Sequence, residues 1–180
     1  MDCCPTRTGP NGGPIEEAEE TAAPRTHCPS CGTKGRRVPP ITLDSLVVEG
    51  FPRRDEPYRF CPSPDCDTAW FGEHSGHRIP RSASRVRIGQ KERAADRPLC
   101  YCFGYSFADM AADVARTGGS SIPDEITARC RRGEDRCPET NPQGSCCLGN
   151  VRAALRSLLA EPPEDDAPVD ACGCPVQPGR

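Results

Sequence analysis

Apolar positions along this chain change their period near residue 100. Before it they fall in short runs separated by turn-forming residues, as strands do. After it they recur at helical spacing. Residues 38–48 (VPPITLDSLVV) form the first apolar stretch of a set of short, strand-like pieces. Residues 58–60 (YRF) lead into a cysteine turn and residues 68–71 (TAWF) lead away from it. Residues 84–88 (SRVRI) alternate polar with apolar or long side chains, which predicts a half-exposed strand. The turn at 62–65 (PSPD) is made of residues that fix or tolerate tight geometry, and the polar run 90–97 reads as a connection. Then come Phe107, Met110, Ala111 and Val114 at helical spacing, behind a capping-box-like start at Ser106 with Asp109 three positions on. Gly118-Gly119 ends that helix. Residues 121–126 (SIPDEI) open a second, shorter one with Pro and acids in its first turn. Val151, Leu155, Leu158 and Leu159 line one face of a third, which Pro162-Pro163 stops. The expectation is an α+β chain: a small β-rich module over residues 25–90, then a small helical domain over 91–160.

Composition adds that neither part has much to build a core from. Hydrophobic residues are 35 % of the chain with cysteine included, aromatics are 5 %, and there are 17 Gly and 21 Pro. Thin cores of this kind need staples, either disulfides or metals. The net charge of −3 is unevenly spread: residues 1–24 and 161–180 each hold five acids against one Arg, whereas residues 25–100 hold fourteen Lys or Arg against nine acids. Both acidic ends lack apolar periodicity and are expected to be disordered tails. The arginines of the basic middle are scattered, so it reads as solvated surface rather than a nucleic-acid face. No signal-peptide pattern opens the sequence and no run approaches membrane-spanning length. A cytoplasmic protein without membrane insertion is the expectation.

The staples are the fourteen cysteines, and they are clustered. In a reducing compartment such clusters bind metal more often than they pair with each other. Cys28-x2-Cys31 is followed, after 29 intervening residues, by Cys61-x4-Cys66. Two such turns brought together give a saturated four-thiolate shell, the signature of structural zinc; a rubredoxin-type iron would accept the same sulfurs. Cys100-x-Cys102 directly before a helix suits an iron–sulfur cluster, whose irons spread four thiolates over a wider object. Spacing leaves its other two ligands open among Cys130, Cys137, Cys146 and Cys147. Adjacent side chains diverge, so one of the Cys146-Cys147 pair is expected to ligate. Cys3-Cys4 and Cys172-x-Cys174 sit on the tails.

The segments CPSC (28–31), PPITLDSLVVEG (39–50), YRFCPSPDCDTAWFG (58–72), VRIGQKE (86–92), LCYCFGYS (99–106) and ETNPQGSCCLG (139–149), in that order, resemble the N-terminal domain of CopZ-type copper chaperones. The resemblance runs from about His27 to Leu155. The second half is also similar to bacterioferritin-associated ferredoxin, from which it departs by a nine-residue gap after Cys137. The resemblance implies a zinc-binding module followed by a 2Fe–2S-binding helical domain. By motif, it gives zinc to Cys28, Cys31, Cys61 and Cys66, and the 2Fe–2S cluster to Cys100, Cys102, Cys137 and Cys147. Cys130 has no counterpart and reads as a buried or spare thiol.

CopZ proper carries a further copper-binding domain with a Cys-x2-Cys site, which this sequence does not contain. Its tail pairs Cys3, Cys4, Cys172 and Cys174 are the candidates for Cu(I) or another soft ion such as mercury, since soft cations favour thiolates. No Ser/His/Asp set, phosphate loop or paired catalytic carboxylates stand out, so the expectation is not an enzyme, apart from metal-ion reduction through the cluster. The function expected is a metallochaperone-like protein with one-electron support from the cluster, serving a metal-transporting ATPase or other metal-handling protein. The alternative is a ferredoxin-like electron carrier or adaptor for a redox partner.

Overall fold

The structure is a computed structural model in which residues 23–160 are described. Both tails, with Cys3, Cys4, Cys172 and Cys174, lie outside the described residues. The first part is a four-stranded antiparallel meander of β1 (Arg36–Val38), β2 (Tyr58–Phe60), β3 (Thr68–Gly72) and β4 (Arg78–Pro80), hydrogen-bonded in that order. Arg36 faces Phe60, Phe60 faces Trp70 and Trp70 faces Ile79 across the sheet, with a register shift between Thr68 and Trp70. Strand β3 is buried along its whole length. Neighbouring residues of a strand point to opposite faces. Trp70 therefore enters a core with Val38, Leu43, Leu46, Tyr58, Phe60 and Ile79, while Phe71 packs against Cys28, Cys61 and Cys66.

Two local expectations are corrected. The stretch 38–48 is strand only at its start; Pro40–Leu46 is a helix, α1, with Pro at its first position and Thr42, Leu43 and Leu46 buried. Proline with its preset φ favours a helix start, and Leu43 and Leu46 then share a face at helical spacing. Residues 84–88 form no strand. The Ser84 hydroxyl donates to the Val86 carbonyl at 2.8 Å and accepts from the Val86 amide at 3.3 Å, a local turn that takes the groups a ladder would need. A single bridge, Val47 to Ser84, is all the pairing this segment makes.

Glu73, just past β3, is a buried carboxylate. Arg37 grips it with two guanidinium nitrogens, and Arg59 Nε lies 2.8 Å from its Oε1. The Arg37 hydrogen bond is the main influence holding its pKa below the usual carboxylate range, against the upward pull of burial. Folding thus favours the ionised form. The associated stability is present above the unfolded carboxylate pKa of about 4.3 and is lost as pH falls through the lower folded value. Glu73→Gln should cost roughly 3 kcal/mol, the lower end for breaking a buried pair, because Arg37 keeps contact with water. The gap between thermal melts of the two forms, full at neutral pH, should close only as pH falls through the lowered folded pKa. A gap unchanged by pH would show that the charge is not what matters.

The second part opens with a short antiparallel pair, β5 (Pro98–Cys100) and β6 (Tyr105–Ser106). The helices α2 (Phe107–Thr117), α3 (Ile122–Arg131), α4 (Cys137–Thr140) and α5 (Leu148–Ala160) follow. The capping box at Ser106 and Asp109 forms as expected, and Gly118 ends α2 in the left-handed conformation at φ 72° that only glycine adopts freely. Met110, Ile122, Ile126, Cys147 and Val151 make the core, with Leu155 and Leu158 partly covered. Leu159, expected on the same face, is 53 % exposed near the end of α5.

The parts are joined through side chains. Helix α1 packs on α4, and the Thr42 hydroxyl donates to the Pro138 carbonyl at 2.6 Å. The Trp70 indole donates to the Pro142 carbonyl at 2.8 Å. Gly144 sits so close to α1 that a Cβ there would meet Pro39 Cδ at 2.7 Å. The loop carrying the later cysteines is thereby seated on the β layer.

Candidate metal centres

Each sulfur of the first set is placed by a sheet end or a turn. Cys28 and Cys31 lie on a turn closed by the bridge between His27 and Lys34, in which the Gly32 amide donates to the Cys28 carbonyl at 2.8 Å. Cys61 directly follows β2, and its amide donates to the Ala69 carbonyl at 2.8 Å. Cys66 precedes β3. The two turns touch through Ser30 Oγ and Thr68 Oγ1 at 2.8 Å. The four Sγ atoms all lie within 4.8 Å of one another.

Their spacing can be tested against zinc. A tetrahedral ion with sulfurs about 2.3 Å away sets them about 3.8 Å apart. Cys28 and Cys66 are separated by 3.9 Å, and Cys31 and Cys61 by 3.6 Å. The residues fit the ion. Cys28, Cys61 and Cys66 are buried while Cys31 reaches the surface. Burial works against a charged Cys31, but hydrogen bonding with the Thr33 side chain and backbone, then with Cys61 and Cys66, prevails and brings it down to about 6. Desolvation pushes Cys61 and Cys66 up. Without a cation these thiols would compete for protons in a confined space; a divalent ion replaces the protons.

Lys91 is a positioning residue that the sequence reading missed. Placed in the polar connection, it is instead 5 % exposed, and its ammonium donates to the carbonyls of Ser63 and Cys66 at 2.8 and 2.9 Å. It ties the Cys61–Cys66 turn to the segment leading into the helical part. The only signal in the sequence was its place in the 86–92 segment quoted above. His74 and His77 stay out of the sulfur set: His74 is exposed, and His77 Nδ1 lies 3.0 Å from the Tyr58 hydroxyl.

In the helical part the thiols gather in pairs. Cys102 and Cys137 bring their sulfurs within 3.5 Å. Cys100 hydrogen-bonds with Cys147, a contact that draws Cys100 down to about 7 against the effect of burial. The same contact, followed by burial, drives Cys147 up. Desolvation, then Cys102, drives Cys137 up as well. Among the described residues this second set does not gather within the radius that encloses the first; it is two pairs rather than one tetrahedron. Cys102 Sγ accepts from the Arg136 amide at 3.3 Å and lies 3.2 Å from Thr140 Oγ1. Helix α4, which the sequence reading did not anticipate, carries Cys137 at its first position, with Pro138 in its opening turn as the signal passed over. Tyr101, between the two cysteines of the turn, accepts from the Gly89 amide at 2.9 Å and donates to the Arg87 carbonyl at 3.1 Å. Burial pushes its phenol up to about 12.

Of the remaining cysteines, Cys130 is half-buried and Cys146 exposed. Burial, then Asp135 and Cys146, raises Cys130 to about 11.

A cysteine-ligated metal-binding protein is the class this fold and these thiols define. The family described as a zinc binding domain of the CopZ type matches residues 25–82. The copper chaperone CopZ of Archaeoglobus fulgidus is 34 % identical over 122 residues, covering 67 % of this chain and 57 % of that protein. The X-ray structure of the Archaeoglobus fulgidus CopZ N-terminal domain superposes with a TM-score of 0.58 at 30 % identity, covering 71 % of this chain and 95 % of that one. The chain contains a CopZ-type zinc-binding domain and belongs to the family of the CopZ N-terminal domain. It spans a little over half the length of the full CopZ relative, 57 %.

Proposed function

We propose that this protein is a non-enzymatic, metallochaperone-like carrier for copper or another soft ion such as mercury. In this reading Cys28, Cys31, Cys61 and Cys66 hold a structural zinc, and Cys100, Cys102, Cys137 and Cys147 hold a 2Fe–2S cluster. The observation that carries it is the sorting of thiols into one tetrahedral set and two pairs in which all but the half-buried Cys102 are buried, in a chain homologous to a copper chaperone's N-terminal domain. A cluster so held would supply one-electron redox chemistry. The protein's own part is to keep Cys100, Cys137 and Cys147 out of water and to direct the Arg136 amide at the Cys102 sulfur.

The tail cysteines Cys3, Cys4, Cys172 and Cys174 remain candidates for soft-metal capture, with a metal-transporting ATPase or another metal-handling protein as recipient. No described helix is long and apolar enough to cross a membrane, which fits work in the cytoplasm. The second reading, an electron carrier or adaptor without metal delivery, is favoured by the two thiol pairs of the helical part taken alone.

Anaerobic purification with metal analysis and a visible spectrum tests the site assignments. The expected content is about one zinc, two irons and two sulfides per chain. A protein that stays colourless after reconstitution would overturn the cluster.

A further inference from the structure

Lys91 is buried, yet no carboxylate among the described residues forms an ion pair with it. Taking an ammonium out of water is costly unless a negative group compensates it. Its partners among the described residues are neutral: the carbonyls of Ser63 and Cys66, and the Phe60 ring with its centroid 5.9 Å away. All three belong to the segment that carries Cys61 and Cys66. Four thiolates around one divalent ion carry a surplus of two negative charges, which is the compensation this ammonium needs.

The same lysine ends a single helical turn, Gly89–Lys91, and its amide donates to the Ile88 carbonyl at 2.7 Å. Tyr101 holds the other end of that turn. The Gly89 amide donates to the phenol oxygen, and the phenol donates to the Arg87 carbonyl. Gly89 lies so close to the strand leading to Cys100 that a Cβ there would meet the Pro98 carbonyl oxygen at 1.9 Å. An unbroken path of contacts thus runs from the Cys61–Cys66 turn through Lys91, Gly89 and Tyr101 to the turn of Cys100 and Cys102.

We propose that Lys91 and Tyr101 are positioning residues that couple the two metal centres. Lys91 is the countercharge of the four zinc-binding thiolates, and Tyr101 passes its placement on to the Cys100–Cys102 turn. This rests on the reading above, in which those sets hold zinc and a 2Fe–2S cluster. With zinc bound, the ammonium is drawn to the thiolates and its helical turn stays seated against the phenol. When zinc is lost that attraction goes, and the turn of Cys100 and Cys102 loses a support. Such coupling is reciprocal, so loosening either site weakens the other.

The test uses the full chain with zinc and cluster in place, checked by metal analysis and visible spectrum. Zinc affinity is measured by competition with a chromophoric chelator, and cluster retention by the rate at which an iron chelator bleaches the protein. Lys91→Met keeps an apolar stem without the charge; it should weaken zinc binding about tenfold. It should also speed bleaching, although the Lys91 ammonium bonds to no cysteine of the cluster set. Lys91→Arg, which keeps the charge, should restore most of both. Tyr101→Phe removes only the hydroxyl, whose partners are Gly89 and Arg87 rather than a zinc-binding residue. It should nonetheless weaken zinc binding about three- to tenfold as well as speed bleaching. In the double variant the two losses should be less than additive, as for members of one network. Effects confined to the nearer site, or losses that simply add, would overturn the coupling. Equal losses in Lys91→Met and Lys91→Arg would overturn the countercharge. A wild-type chain that stays colourless after reconstitution would overturn the cluster reading and the coupling with it, a result distinct from a coloured chain whose two sites respond separately.

Discussion

Cys61→Ser should release zinc and unfold the β layer rather than merely loosen it. Cys61 is fully buried, and the cluster it joins consists of Cys28, Cys66 and Phe71 alone. Among the described residues that buried cluster holds no aliphatic side chain to keep its side of β3 packed once the ion has gone. Magnitudes decide the outcome. Structural zinc in small modules is worth about 10–16 kcal/mol of binding free energy at neutral pH. A whole domain is stable by only about 5–15 kcal/mol. Losing a buried ligand forfeits enough of the first figure to exhaust the second. By contrast Phe71→Ala, which empties the same place without touching a ligand, should cost about 3–5 kcal/mol and leave a folded, zinc-loaded protein. Zinc per chain and amide exchange over residues 58–80 separate the two results. A Cys61→Ser protein with full zinc and native protection of β2 and β3 would show that another donor completes the shell.

The second large effect separates neighbours. Cys147→Ser should bleach the protein, and Cys146→Ser should leave its colour unchanged. Cys147 is 2 % exposed and meets Cys100, whereas Cys146 faces solvent from the adjoining position. Serine is nearly the size of cysteine, so Cys147→Ser barely disturbs the packing around Met110, Ile126 and Val151. What it removes is one of the four soft donors proposed for the irons, and a neutral hydroxyl is a poor replacement. Iron content and visible absorbance after anaerobic reconstitution read the difference directly. Bleaching by Cys146→Ser with colour retained in Cys147→Ser would reverse the assignment.

The parts of this protein that were legible in the sequence are those governed by near neighbours. The capping box at Ser106 and the glycine stop at Gly118 depend on a few residues of backbone, and both form as expected. Where the reading failed, a competing local interaction or a distant partner had the deciding influence. Residues 40–46 alternate weakly enough to pass for strand, but proline at the first position and burial of Leu43 and Leu46 favour helix. Residues 84–88 have a strand's pattern, yet the Ser84 hydroxyl takes the backbone groups a ladder would use. Lys91 looked like part of a solvated linker because charge is usually exposed. It is buried because two carbonyls of the Cys61–Cys66 turn lie opposite it.

The cysteines divide along the same line. Sequence by itself determined that Cys28 and Cys31 can share one ion, as can Cys61 and Cys66, because short gaps between cysteines are bridged by single turns whose geometry is local. Tertiary structure alone decided what the cysteines of the helical part meet: Cys102 lies against Cys137, and Cys100 against Cys147. Cys102 and Cys137 stand 35 residues apart, a separation over which the chain itself sets no distance. Only the packing of α3 on α5 and of α1 on α4, with Trp70 and Thr42 holding the Pro138–Pro142 segment against the sheet, brings those sulfurs into place.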